Sequence, residues 1–379
     1  MNRTDIVVIG AGLIGSSVAW RLAQHGHRVT VVEKGEPGVE ASWAAAGLLQ
    51  PEAGREAGPQ LLQLWLNSLA NYGAFIAEIR EVTGIAVEYR TTGRLVAAFD
   101  EVEEAALREK FQAQAGTGIR AEWLGNAAVR ALESAVAPDI RGAILYSDHG
   151  LVDNRQLTSA VVQAARRAGV TLRTYETVTA IQTSGGRVSG VRTDRGVIPA
   201  EIVINAAGAW SAGLGLQDAN ESRVTILSPS DPPVYPAKGE IIALQARPRP
   251  LERVITIPGG SVSARADGRI VVGATVRDVG FDREITADGV ARMLTAAIRA
   301  VPELKSARFL EAWTGLRPRT PDEQPVLGEG RVPGLFWATG HFKMGILSAP
   351  ATAEVLTALV EGREPPFPVD DLTPWRFGM

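Results

Sequence analysis

The stretch from Ile6 to Glu33, IVVIGAGLIGSSVAWRLAQHGHRVTVVE, constrains the fold of this 379-residue chain more than any other. The apolar run from Ile6 to Ile9 predicts a buried strand, Ser16 to Gln24 has helical spacing, and a second apolar strand from Val29 to Val32 ends at Glu33. Gly10, Gly12 and Gly15 fall between strand and helix in GxGxxG spacing, so the chain opens as a βαβ unit of the dinucleotide-binding kind. Gly10 permits the tight turn, Gly12 the close approach of backbone to a pyrophosphate, and Gly15 the packing of helix on strand. The helix N-terminus offers free N–H groups and a positive dipole end to the diphosphate. The acid at Glu33 suits ribose hydroxyls and disfavours a 2′-phosphate. The pattern predicts an adenine dinucleotide and does not separate FAD from NAD.

The next segment, EASWAAAGLLQPEAG from Glu40 to Gly54, is rich in Ala and Ser where an NAD-type domain continues into its next crossover. Small side chains there leave a path for a flat, extended ligand, although a flexible connection has the same composition. Length predicts two domains. The formal net charge of -3, with no Lys/Arg block, argues against nucleic acid. Cysteine is absent, which excludes disulfides, thiolate nucleophiles and a cysteinyl flavin. The four histidines, His25, His27, His149 and His341, have no HxxxH spacing, so no metal site is expected. MNRTD runs into the first strand without a leader-like apolar core, and no apolar run approaches the ~20 residues of a membrane span. The expectation is a cytoplasmic chain.

Further along lie VINAAGAWS (Val203 to Ser211), GRIVVGATVRDVGFD (Gly268 to Asp282), WTGLRPRTPDEQPVLG and GLFWATGHFKMGILSAPATAEVL. With the glycine motif, in this order, they resemble the D-amino-acid-oxidase-like family of FAD-dependent oxidoreductases. Within it the chain looks most like the glycine oxidases of thiamine biosynthesis. The resemblance implies an α/β fold in which a Rossmann-like FAD-binding domain (1–85, 146–215 and 317–379) is interleaved with an α+β substrate domain (86–145 and 216–316). Residue patterning agrees: GEIIALQ, RVITIPG, SVSAR and GRIVVGATV read as short strands of an antiparallel sheet.

The implied activity is oxidative deamination of a small amino acid (glycine, sarcosine or a small D-amino acid). Hydride passes from the α-carbon to flavin N5 and then to O2, giving an imine or 2-oxo acid, ammonia and hydrogen peroxide. FAD contacts are implied from Leu13 and Ile14 beside the glycines, from Lys34 after Glu33, and from Ser42, Ala45, Ala46, Gly47 and Leu49 in the Ala/Ser segment. Val178, Ala207, Gly208 and Trp210 follow, then Gly340, His341, Lys343, Met344, Gly345 and Ile346. Arg317 in GLRPRT is the expected catalytic carboxylate clamp, because guanidinium meets carboxylate as a two-bond fork. Arg319 is expected to be solvated or ion-paired. A helix entered near Gly345 can aim N–H groups at the charge that builds on a reduced flavin. Lys343, where these oxidases carry arginine, adds positive charge at that site or at the substrate mouth.

His341 reads as a hydrogen-bonded packing residue. Where the resembled oxidases offer a tyrosine hydroxyl to substrate, this chain has GGSVSARAD, with Ser261 in the aligned place and Ser263 nearby. Tyr89 and Tyr235 are candidate substitutes. A pocket without that phenol suits a larger or N-alkylated amine, so a D-amino-acid oxidase or dehydrogenase of the same fold is the alternative reading. A non-oxidase FAD-binding subunit and an NAD-only dehydrogenase are readings of other classes. Noncovalent FAD is expected, and the resemblance implies a homo-oligomer.

Overall fold

The computed structural model describes residues 6–52, 58–219, 224–225 and 232–378. Four apolar runs, Ile6–Ile9, Val29–Glu33, Ile202–Asn205 and Leu335–Thr339, are buried along their length except at Ile202, as expected for strands covered on both faces. With Thr171–Thr174 they pair in parallel, and Val326–Glu329 closes one edge antiparallel, in the order 326–329, 335–339, 202–205, 6–9, 29–33, 171–174. The helix Leu13–Gln24 starts within the glycine motif, three residues before the expected Ser16, because Gly12 already adopts the N-cap conformation. It packs with Pro59–Thr83, Asn154–Arg167 and Gly345–Val360 into one apolar core.

The second large sheet has eight strands, in the order 308–319, 235–245, 269–273, 260–264, 254–257, 94–98, 142–146, 121–125. It is antiparallel as expected except for one pair: Val254–Ile257 runs parallel to Arg94–Ala98. One face buries Leu95, Ile242, Ile255, Val262 and Val272 with the amphipathic helix Ala287–Ala300. The period-2 alternation therefore turns Arg94, Thr256, Ser261, Gly273, Gly239 and Arg317 to the opposite face. Arg308–Arg319 is one continuous strand, so a boundary at residue 317 falls inside it.

The helix Gly345–Val360 contains Pro350, which lacks the N–H that Ile346 O would otherwise accept. Tyr72 donates its hydroxyl to Ile346 O at 3.0 Å, and Ser68 donates to Leu347 O at 2.5 Å. Two side chains of the long helix thus complete the interrupted ladder. Tyr72→Phe leaves a buried carbonyl unpaired, which costs about 1–3 kcal/mol. Thermal unfolding should show a Tm lowered by a few degrees, and an unchanged Tm would contradict this role.

Candidate active site

A continuous cavity of about 1040 Å³ joins the C-terminal end of the parallel sheet to the open face of the eight-stranded sheet. At the glycine loop, a Cβ on Gly10 would lie 2.6 Å from Ala206 O, and one on Gly15 2.1 Å from Gly10 O. No other residue fits either place, and bare backbone faces the cavity. Leu13 and Ile14 line it with Gly10, Gly12 and Gly15, and Ser42 Oγ accepts the Leu13 N–H at 2.9 Å. Glu33 is buried against the loop, and its carboxylate accepts from Ala11 N–H at 2.8 Å and Gly35 N–H at 3.0 Å. Two oxygens carry about four lone pairs, so hydroxyl donors can still be met.

Lys34, Val178, Ala207, Gly208 and Trp210 also line the cavity. The Lys34 ammonium rests 3.1 Å from the Trp210 ring centroid, a cation–π contact. Burial lowers the Lys34 pKa against the opposing pull of Glu40 and Glu33.

The small-residue segment follows a fixed path. Asn154 donates to Ser42 O and Trp43 O at 2.8 and 2.9 Å, Trp313 Nε1 to Ala44 O at 3.0 Å, and the buried Arg265 to Ala46 O. These carbonyls are held by side chains from other elements, which is how a stretch without side-chain bulk of its own is ordered. Gly315 lets the segment approach, since a Cβ there would be 2.5 Å from Ala44 Cβ. Ala45, Ala46 and Gly47 line the cavity as expected. Leu49 does not: it is fully buried in the helical core, and its neighbour Leu48 faces the cavity instead. The two form a short strand, where adjacent side chains point opposite ways.

Gly340 is the second correction. It lies outside the lining, and its φ of +76° serves the turn packed on Thr320 and Gln324. After it, Phe342 takes a φ of 46°, a strained value for a non-glycine, and its N–H donates to Pro318 O at 2.8 Å. That bond ties the C-terminal loop to the strand carrying Arg317. His341, Lys343, Met344, Gly345 and Ile346 all line the cavity. Ser348 N–H is bonded within the helix to Met344 O and Met344 N–H to His341 O, and the helix has no side-chain cap, so the first-turn N–H groups of Gly345 and Ile346 lie at cavity-lining residues. His341 is buried, bonds Thr352 Oγ1 at 3.0 Å, and burial lowers its pKa to about 3. It is neutral at pH 7. Lys343 is exposed at the cavity edge, 4.7 Å from the Phe342 ring centroid.

Arg317 lies flat across Gly239, where a Cβ would come within 2.3 Å of both terminal nitrogens. Its Nη1 donates to Thr275 O at 3.1 Å. Among the described residues no carboxylate pairs with it, whereas the adjacent Arg319 pairs with Asp278 and Glu323. Desolvation lowers the Arg317 pKa to about 10, so it remains cationic at pH 7. A half-buried guanidinium with no counter-ion among the described residues is an anion receptor.

Ser261 lines the cavity, and its hydroxyl bonds Thr256 Oγ1 at 2.8 Å. Ser263, Tyr89 and Tyr235 do not line it: Tyr89 stacks on Tyr72, with centroids 5.7 Å apart, and Tyr235 sits beside Arg319. No tyrosine among the described residues replaces the expected phenol. Gly239, Thr256, Arg94, Glu52 and Lys110 also reach the cavity, beyond the residues expected from sequence. The Gly-Glu and Thr-Ile-Pro-Gly contexts of Gly239 and Thr256 carry only turn and strand signals.

The family described as DAO, FAD dependent oxidoreductase, matches residues 5–359. The chain belongs to this family, among its FAD-dependent amino acid oxidases. It is 35% identical over 378 residues to glycine oxidase of Geobacillus kaustophilus, covering 99% of this chain and 96% of that one. The solved structure of glycine oxidase from that organism has a TM-score of 0.90, 33% identity and 98% coverage of both chains. The chain is 33% identical over 383 residues to the bifunctional protein ThiO/ThiG of Synechocystis sp., covering 99% of this chain and 54% of that protein, so it spans about half of that relative. It is 32% identical over 415 residues to hydrogen cyanide synthase subunit HcnC of Pseudomonas aeruginosa, covering 100% and 97%. Among the described residues no helix is long and apolar enough to cross a membrane.

The cavity fits FAD: bare glycine backbone and a helix start whose only side-chain acceptor is Ser42 face one part of it, and a second helix start without a side-chain cap faces another. Glu33→Ala removes the acceptor for two loop N–H groups and the proposed ribose contact, so FAD should bind about 10- to 100-fold more weakly. Flavin fluorescence during dilution would report this, and full retention would contradict it.

Proposed function

We propose that this chain oxidises glycine, sarcosine or a similarly small amino acid, with Arg317 as the receptor for the substrate carboxylate. The observation that carries the reading is the cationic, unpaired guanidinium of Arg317, laid over Gly239 inside the cavity. In this reading residues 1–85, 146–215 and 317–379 hold FAD, and 86–145 with 216–316 form most of the substrate side. FAD, bound noncovalently, supplies the hydride acceptor and its reoxidation by O2. The fork of Arg317 holds the carboxylate and thereby fixes the α-carbon. The neutral His341 adds no charge, and the open N–H groups of the C-terminal helix favour negative charge at its start. The amine enters neutral, so no dedicated base is needed. For a primary amine the balance is amino acid, O2 and water to 2-oxo acid, ammonia and hydrogen peroxide; sarcosine releases methylamine in place of ammonia. Similarity to the bifunctional protein ThiO/ThiG supports a role in forming the thiazole of thiamine.

Similarity to the hydrogen cyanide synthase subunit supports a second reading, in which the same amine oxidation passes electrons to an acceptor other than O2. Peroxide and ammonia release from glycine, sarcosine, iminodiacetate and D- and L-amino acids tests the first reading. Equimolar peroxide and ammonia from a small primary amine supports it. Amine-dependent reduction of an artificial acceptor without peroxide would favour the second. Lys343→Met should raise the substrate KM about two- to tenfold at low salt, with the difference shrinking at high salt, as for an exposed steering charge. A KM equal to that of the parent at both ionic strengths would leave Lys343 no part in substrate capture.

A further inference from the structure

We propose that Arg94 is a second anion receptor in the same cavity, and that the preferred substrate is an amino acid or N-substituted amino acid bearing a second carboxylate. The proposal rests on Arg317 holding the first carboxylate.

Arg94 is 3% exposed and lines the cavity. Its Nε donates to Thr256 Oγ1 at 2.9 Å, and its Nη1 to Glu52 Oε1 at 2.7 Å. Its Nη2 donates to none of the described residues. Lys110 Nζ stands 3.5 Å from the other Glu52 oxygen, so two cations share one carboxylate that is itself partly exposed. Burial alone would raise the Glu52 pKa, but Arg94 and Lys110 hold it at about 2, and Glu52 stays charged. His149, stacked on Tyr146 behind Arg94, is kept neutral by burial. Glu109 lines the rim from an exposed position on the helix Glu101–Ala113. Arg94, Lys110 and Glu52 together carry one positive charge in excess, which the exposed Glu109 offsets at the rim, and Arg94 Nη2 has no acceptor among the described residues.

Register places the two receptors on one face of one sheet. Arg317 lies over Gly239, and Arg94 bonds Thr256. From the strand of Gly239 to that of Thr256 are three steps: Thr256 stands opposite Ser261, Ser261 opposite Gly273, and Gly273 opposite Ile241, two residues along the strand from Gly239. At about 4.8 Å per strand and about 3.4 Å per residue this sets the two positions about 16 Å apart. A fork-on-carboxylate contact sets each carboxyl carbon about 4 Å from its guanidinium carbon, leaving about 8 Å between the carboxyl carbons. Seven-carbon dicarboxylates such as pimelate and D-2-aminopimelate have about that span. Gly273 and Ser261 leave the intervening strip open.

The test uses the FAD-loaded enzyme. Perturbation of the bound flavin's visible spectrum is titrated with dicarboxylates from malonate to suberate and with matched monocarboxylates. Pimelate should bind best, about tenfold or more tighter than hexanoate. Arg94→Met should cut that advantage to less than about threefold, Arg94→Lys should keep part of it, and Lys110→Met on the helix surface should lower it a few-fold. In turnover, the ratio of kcat/KM for D-2-aminopimelate to that for glycine should fall about 30-fold or more in Arg94→Met. Equal binding of mono- and dicarboxylates, or an advantage that persists in Arg94→Met, would overturn the proposal. If the length preference holds but no amine reduces the flavin, the second receptor stands and amine oxidation fails. Flavin reduction without any dicarboxylate preference removes the second receptor and leaves amine oxidation standing.

Discussion

Arg317→Ala should abolish useful turnover while leaving FAD bound. Truncating one member of a desolvated, hydrogen-bonded charge pair costs about 2–5 kcal/mol, which is roughly 30- to several-thousand-fold in kcat/KM. The loss should fall on substrates with a carboxylate, because among the described residues the only partner of the guanidinium is Thr275 O. Flavin content should be kept, since the glycine loop and the start of the helix Gly345–Val360 are formed by other segments. Steady-state kinetics with a flavin-content measurement checks both halves. Kinetics within a few-fold of the parent would remove Arg317 from substrate binding.

Gly239→Ala is expected to act almost as severely, although alanine carries no charge and adds a single methyl. The new Cβ would stand 2.3 Å from Nη1 and Nη2 of Arg317 and 2.4 Å from its Cζ. The neighbour on that face is the guanidinium itself, so it must move by about 1 Å or more, and a misplacement of that size costs about 100-fold in a positioned reaction. The strand can accept the residue in other respects, because Gly239 is paired within the sheet and has no positive φ. The expected signature is a raised KM for carboxylate substrates with normal flavin content and near-normal Tm. Wild-type kinetics would mean that Arg317 can bind substrate from another position.

The glycine motif is legible in the sequence because its requirements are local. Gly10 and Gly15 pack against backbone only a few residues away or one strand over, and any side chain collides. The C-terminal helix is equally legible from the run after Gly345, and Ser261 stands in the cavity wall as expected. Arg94, Glu52, Lys110 and Gly239 are not legible, because their meeting depends on which strands become neighbours. Arg94 reaches Thr256 only because Arg94–Ala98 pairs in parallel with a strand about 160 residues later, a pairing that no pattern within either segment encodes. Leu49 misleads for the converse reason: in a two-residue strand, the periodicity is too short to tell which leucine faces inward.

In the proposed function the cavity joins FAD to an amine whose carboxylate Arg317 holds. Anaerobic mixing of the yellow enzyme with glycine, sarcosine and D- and L-amino acids, set against glycinamide and methylamine, tests it most directly. A carboxylate-bearing amine should bleach the flavin absorbance, the carboxylate-free analogues should do so little or not at all, and colour should return when air is readmitted. Equal bleaching by glycinamide and glycine, or no bleaching by any amino acid, would contradict it.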